Sequence, residues 1–243
     1  IADAETVETE LLLSDLESLE KRVPALQKKA TQGDKEAKVS AVVLARALDL
    51  LREGKPARLT VVTDEEEARA LAQAQLLTSK PVLYVCNVEE EAAAEGNAQS
   101  ARVFEKAAAE GAQAVVVSAA IESELTGMDA EERMMFLEEM GLHETGLARV
   151  VRAGYTLLHL LTFFTVGPKE ARAWTVPDGA LAPEAAGVIH SDFQKGFIRA
   201  ETIAYDDYVT LGGEARAREA GKLRAEGKTY AVHDGDVMNF LHS

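Results

Sequence analysis

The residues best placed for chemistry stand at the end of an apolar run. Pro81-Val-Leu-Tyr-Val-Cys-Asn87 passes directly into Val88-Glu89-Glu90. A short apolar run closed by a polar residue suits a strand buried on both faces of a parallel sheet. In open α/β sheets ligands sit beyond the carboxyl ends of strands, which is where Asn87 falls. A carboxamide carries both a donor and an acceptor, as reading a purine edge requires. Glu90, three residues on, can accept from an exocyclic amine. A second run, Ala114-Val-Val-Val-Ser118, ends at Ser118-Ala119-Ala120, where small side chains let backbone N–H groups approach a base. Taken alone, Asn-x-x-Glu also describes an asparagine that happens to precede an acidic helix start, EEEAAAE. Both readings stand at this level.

Other candidates carry less. Cys86 lies inside the apolar strand and reads as a small core residue rather than a nucleophile. His190 and Asp192 adjoin a turn before Phe193 and read as hydrogen-bonded loop residues. The five histidines (His143, His159, His190, His233 and His242) show no metal-ligand spacing with one another or with Cys86, so no metal site is expected. Trp174, Phe163 and Phe164 read as core. The phosphate-binding pattern G-x-x-x-x-G-K-[ST] does not occur, and no catalytic residue is assigned.

Three groups of elements must position these residues. Over 5–30, Leu12, Leu16, Leu19, Val23 and Leu26 recur at spacings of four, three, four and three, a heptad seam. TQGD interrupts it, with Asp34 as the N-cap of a second helix running to about Glu53, where Gly54 and Pro56 stop it. Two such helices bury their stripes as an antiparallel hairpin. Residues 65–77 read as helix, 98–110 as a helix ended by Gly111, and 129–140 and 145–161 as further helices. With the two apolar strands, this is an α/β pattern. Two strands make no stable doubly wound sheet, so the rest of the sheet is expected before residue 1. From Thr162 the pattern becomes FFTV, RAWTV, APEAAGVIH, FIRAETIAY and TYAVHDGDVMNF, short strands with one or two helices and a tight turn at Asp234-Gly235, a compact α+β module. The expected organisation is thus residues 1–58, 59–161 and 162–243.

Charge separates these segments. The chain is 47% hydrophobic and 28% charged, with net charge −15. Residues 59–162 hold 7 Lys/Arg against 18 Asp/Glu, whereas 1–58 hold 10 against 11. Generic attraction of nucleic acid to the acidic middle is disfavoured. The hairpin tip is basic, with Lys21, Arg22, Lys28, Lys29, Lys35 and Lys38; a solvated helix face and a contact patch for RNA or an acidic partner both fit. The start lacks a basic, signal-peptide-like region, no apolar run reaches membrane-spanning length, and Cys86 has no partner for a disulfide. A reducing, cytoplasmic setting is expected.

Several long stretches match a known family. LLTFFTVGPKEARAWTVPDGALAPEAAGVIHSDFQKGFIRAETIAYDDYVTLGG and AREAGKLRAEGKTYAVHDGDVMNF resemble the carboxy-terminal TGS domain of the YchF/Obg-like ATPases, a family of P-loop nucleotidases. LLTSKPVLYVCNVEEE resembles the same family's fourth guanine-nucleotide-binding element, in which N-x-x-E replaces N-K-x-D. The resemblance implies a P-loop α/β domain, a helical hairpin inserted into it and a TGS β-grasp domain, of which this chain carries about two-thirds. It implies that Asn87 contacts the purine, that Glu90 stands where an aspartate reads guanine, with Val88 between them, and that Ser118 and Ala119 hold the fifth element, SAA in place of SAK. It further implies binding of ATP or GTP, slow ATP hydrolysis with Mg²⁺, and association with ribosomes. The phosphate loop, switch regions and Mg²⁺ ligands are expected outside this chain, so this segment alone is expected to be inactive. A non-catalytic docking module for RNA or the ribosome is the alternative.

Overall fold

The heptad seam of the first segment lies along α1 (Ala2–Thr31), which packs against α2 (Lys35–Arg52). The computed structural model describes residues 1–243 and divides them into two units, Ile1–Val150 and Val151–Ser243. In the first unit Leu19 and Val23 are buried with Val43, Leu44, Ala47 and Leu48, while Leu12, Leu16 and Leu26 pack on their flanks. Each fully buried leucine stabilises this seam by about 1.5–3 kcal/mol. Asp34 Oδ1 accepts from Ala37 N at 3.0 Å, capping α2 as its side chain type predicts. Arg52 reaches back to Glu20 at 3.4 Å, as the antiparallel arrangement requires.

Beyond the hairpin come α3 (Glu65–Gln73), capped by Asp64, and then β1 (Leu83–Asn87). The crossover helix α4 (Ala98–Glu110) starts with a capping box between Asn97 and Ser100 and ends at Gly111 in the left-handed region, φ +66°. It leads to β2 (Gln113–Val117), which pairs with β1 in parallel register from Leu83↔Gln113 to Asn87↔Val117. Three helices follow: α5 (Ala119–Leu125), α6 (Ala130–Glu139) and α7 (Gly146–Leu157). Ile121, Leu125, Leu137 and Leu142 form a small core with Ala93 beneath the loop after β1.

The second unit is a five-stranded sheet ordered β4-β3-β7-β5-β6. Its strands are β3 (Leu160–Val166), β4 (Ala171–Pro177), β5 (Phe197–Ala204), β6 (Arg224–Glu226) and β7 (Asp236–His242). β3 and β7 run parallel, and the other neighbours are antiparallel. Four helices, α8 (Ala182–Ile189), α9 (Ser191–Lys195), α10 (Tyr205–Leu211) and α11 (Glu214–Glu219), fill the connections. Ala182, Ala185 and Ala186 of α8 are fully buried beside Phe163, Ala200 and Met238. Trp174 is half-buried and donates its indole N–H to Thr165 Oγ1 at 2.9 Å. The chain is therefore a mixed α/β protein with two separate sheets. No helix is long and apolar enough to cross a membrane.

Several local expectations are corrected. The helix expected over 65–77 ends at Gln73, because Gln75 takes a left-handed φ of +54°. The helix expected over 145–161 ends at Leu157; His159, at φ +50°, turns the chain into β3. Leu157, Leu158 and Leu161 fit a helical stripe as well as they fit a strand, so the pattern alone does not mark where the helix stops. TYAVHDG is not a strand but a loop whose one bridge, Leu181↔Ala231, joins it to the residue that precedes α8 rather than to the sheet. His190 is a hydrogen-bonded residue between α8 and α9, as expected, whereas Asp192 lies inside α9. The His190 Nδ1 accepts from Asp192 N at 3.2 Å and caps α9. β1 is not buried on both faces, since Val85 remains 50% exposed. The parallel pair covers one edge of β1, and the side chains at 85 and 87 face out.

Candidate functional site

β1 and β2 end side by side, so their register brings the two sequence-predicted tips together. Val88 N donates to Val117 O at 2.9 Å, extending the ladder one residue beyond β1. Asn87 is exposed, and its Oδ1 accepts from Ala119 N at 2.9 Å. That bond fixes the carboxamide plane. It leaves the two Nδ2 amide protons and the second lone pair of Oδ1 without a partner in the chain. Ser118, the residue after β2, is 2% exposed, and its Oγ has no hydrogen-bond partner. A buried, unsatisfied hydroxyl at the tip of a strand is a polar group with unused capacity. Ala119 and Ala120 are exposed, so no side chain screens the backbone at this point.

The loop that carries the acids is braced from below. Val88 and Ala93 are buried while Glu89, Glu90 and Glu91 are exposed. Glu90 opens a single 3-10 turn, Glu90–Ala92. Arg149 of α7 donates to Ala93 O at 3.0 Å, and Asn97 Nδ2 donates to Glu89 Oε2 at 3.3 Å. The Glu122 carboxylate accepts from Gly146 N at 2.6 Å and so caps α7 against β2. Gly146 suits this contact: a Cβ there would stand 3.2 Å from Val117 Cβ. Asn87, Val88, Glu90, Ser118 and Ala119 thus share one end of the sheet. A cavity of about 530 Å³ opens beside β1, lined by Tyr84 to Val88, Asn97, Ser100 and Ile1 to Ala4. Ser118, Ala119 and Glu90 are not among its walls, so it adjoins the strand tips rather than enclosing them.

Behind the tip, Tyr84 joins a polar group that sequence spacing does not announce. Its hydroxyl donates to Glu8 of α1 and lies 3.0 Å from Glu110 Oε2 of α4. Lys106 binds both acids, Glu8 at 3.0 Å and Glu110 at 2.6 Å. Burial, then the two carboxylates, push the Tyr84 hydroxyl well above the usual phenol range. It stays a proton donor. Burial draws the Glu110 carboxyl upward, but hydrogen bonds from Lys106 and Tyr84 outweigh it and hold the group below its ordinary value. Burial raises the Cys86 thiol, which keeps it protonated and unreactive.

No group of three or more His, Cys, Asp or Glu stands close enough to hold a metal ion. At the hairpin tip, Lys28, Lys29, Lys35 and Lys38 are exposed. Lys21 is paired with Glu17 at 2.6 Å, and Arg22 turns inward to donate to Ala74 O at 2.8 Å. The patch of six cations therefore reduces to four unencumbered lysines, because α1 and its neighbours engage the other two.

Residues 160–243 match the family model YchF-GTPase_C, described as a protein of unknown function (DUF933). The chain is 49% identical over 242 residues to the ribosome-binding ATPase YchF of Bacillus subtilis, covering 99% of this chain and 66% of that protein. It is 52% identical to the ribosome-binding ATPase YchF of Haemophilus influenzae, over 98% of this chain and 65% of the relative. The solved Schizosaccharomyces pombe YchF GTPase superposes with a TM-score of 0.81 at 29% identity, covering 99% of this chain and 65% of that one. The chain therefore spans just under two-thirds of the curated relatives it matches. On these likenesses the chain belongs to the YchF family, whose carboxy-terminal part it covers.

Proposed function

We propose that this chain supplies the purine-facing wall of the nucleotide cleft in a ribosome-associated ATPase that binds ATP or GTP. The observation that carries the reading is the Asn87–Ala119 bond, which sets an exposed carboxamide, an exposed acid and an unsatisfied hydroxyl at one end of a parallel sheet. Asn87 addresses the purine edge and Glu90 its exocyclic group. Val88 holds the turn, and Ser118 and Ala119 bring polar backbone close to the base. The longer glutamate in place of aspartate alters the reach toward guanine N1–H and the 2-amino group, which relaxes discrimination in favour of adenine.

On this reading residues 59–161 belong to a P-loop domain, residues 1–58 form its inserted hairpin and residues 162–243 form a TGS β-grasp domain. The phosphate loop and the Mg²⁺ ligands belong to the third of the relatives that this chain does not span. Slow hydrolysis depends on them, since phosphoryl transfer draws its stabilisation from phosphate and metal contacts. The name carried by the bacterial relatives, together with Lys28, Lys29, Lys35 and Lys38, supports a ribosome contact in the cytoplasm.

In the complete protein, Asn87→Ala is expected to weaken ATP binding by about 5- to 150-fold, the cost of one lost bidentate contact of about 1–3 kcal/mol. Glu90→Asp is expected to raise GTP affinity relative to ATP. Titration with fluorescent nucleotide reads both, and unchanged affinity in Asn87→Ala removes Asn87 from the pocket. The second reading, a docking module without nucleotide, rests on the four lysines. Their joint replacement should flatten the salt dependence of ribosome co-sedimentation.

A further inference from the structure

Three polar side chains of α1 stand one heptad apart, and all three grip the same stretch of chain. Arg22 donates to Ala74 O at 2.8 Å. Asp15, 4% exposed, accepts from Leu77 N at 2.9 Å, Thr78 N at 2.8 Å and the Thr78 hydroxyl at 2.7 Å. Glu8 accepts from the Tyr84 hydroxyl. A seven-residue repeat drifts only about 20° per step, so the three share one face of the helix. Fourteen residues rise about 21 Å, and residues 74–84 run beside that row in the opposite sense. The row borders the leucine seam that faces α2, and Ala74 and Leu76 of the gripped stretch lie in the same buried cluster as Leu19 and Val23.

The gripped stretch leads straight into β1, and Asn87 follows Tyr84 by three residues. Thr78 passes the grip onward, because its Oγ1 also accepts from Ala57 N at 3.0 Å. Tyr84 does the same toward α4 through Glu110 and Lys106. A shift of α1 along its axis would drag 74–84 with it and tilt the end of β1.

We propose that the Glu8–Asp15–Arg22 row splints the chain leading into β1, so that Tyr84 and Thr78 are positioning residues for Asn87. The inference rests on the purine-facing reading of Asn87 given above. Tyr84 and Thr78 act through the backbone of residues 74–87 and touch no nucleotide.

The test uses the complete protein, measuring affinity for a fluorescent ATP analogue and Tm in Tyr84→Phe, Thr78→Val, Glu8→Gln and Asn87→Ala. Tyr84→Phe and Thr78→Val should each weaken binding about fivefold, at the low end of usual coupling between distant groups. Glu8→Gln keeps an acceptor for the Tyr84 hydroxyl and should stay within about twofold of the parent, below that range. Combined with Asn87→Ala, Tyr84→Phe should add no further loss. Should Tyr84→Phe fail to fold, Thr78→Val carries the same comparison. A lowered Tm with unchanged affinity, beside weakened binding in Asn87→Ala, overturns the splint and leaves only bracing. A full extra loss on the Asn87→Ala background overturns it too, by placing the action elsewhere. Unchanged affinity in Asn87→Ala itself defeats the purine-facing reading, and this inference goes with it.

Discussion

The two sheets of this chain are held together by different means. In the second unit, five strands close over their own apolar face. Phe163 is fully buried, and Ala182, Ala185 and Ala186 bring α8 flat against the sheet. In the first unit, two strands pair along five residues, and Val85 remains half exposed. What steadies β1 there is largely polar: Asp15 on the backbone before it, Tyr84 between Glu8 and Glu110, and the Asn87–Ala119 bond at its tip. A self-covered sheet secures its own fold. A narrow one braced by side chains from other elements fixes the position of its ends, which is what a binding edge requires.

The contrast can be broken by substitution. Phe163→Ala should cost about 3–5 kcal/mol, the usual range for a phenylalanine lost from a core. Trp174 sits in the same unit, so its fluorescence should report the lowered midpoint directly. Asp15→Ala should cost about 3 kcal/mol, because it strands the buried Thr78 N–H and hydroxyl and removes the acceptor of Leu77 N. Chemical denaturation followed by helical circular dichroism should show that loss while the Trp174 transition stays in place. If both probes shift together, the units are not stabilised separately.

A smaller effect is expected from pH. The Tyr230 hydroxyl is pushed up to about 12 by burial and by the Asp236 carboxylate, from an ordinary value of 10.0. The folded state therefore holds this proton where the unfolded chain has released it. Its contribution is whole below pH 10 and falls away as pH rises toward about 12. Tyr230→Phe should remove that slope from the Trp174 transition. The slightest effect belongs to Val85→Thr, expected within about 0.5 kcal/mol in this chain because the site is half exposed. In the complete protein the same change should cost more if the face of β1 is covered there, and thermal melts of both forms decide it.

Much of this was legible in the residues. The leucine seam and the Asp34 cap give the hairpin, and Gly111 ends α4, because each signal acts within one or two turns. The strand tips at Asn87 and Ser118 were legible for the same reason, each being an apolar run closed by a polar residue. What sequence spacing could not give was tertiary. Glu8 and Tyr84 are 76 residues apart and Asp15 and Thr78 are 63, so no local pattern joins them. Arg22 reads as a surface cation until the fold brings Ala74 O beside it. The helix ends at Leu157 and Gln73 were missed because left-handed His159 and Gln75 are set by packing rather than by residue type. The half-exposed face of β1 was missed for a related reason: an apolar run specifies a strand but not how many neighbours cover it.

The purine-facing assignment is tested most directly by hydrogen exchange on the complete protein with and without ATP. Slower exchange is predicted at residues 87–90 and 118–121, with the second unit unchanged. Equal exchange at both strand tips under saturating nucleotide would contradict the assignment.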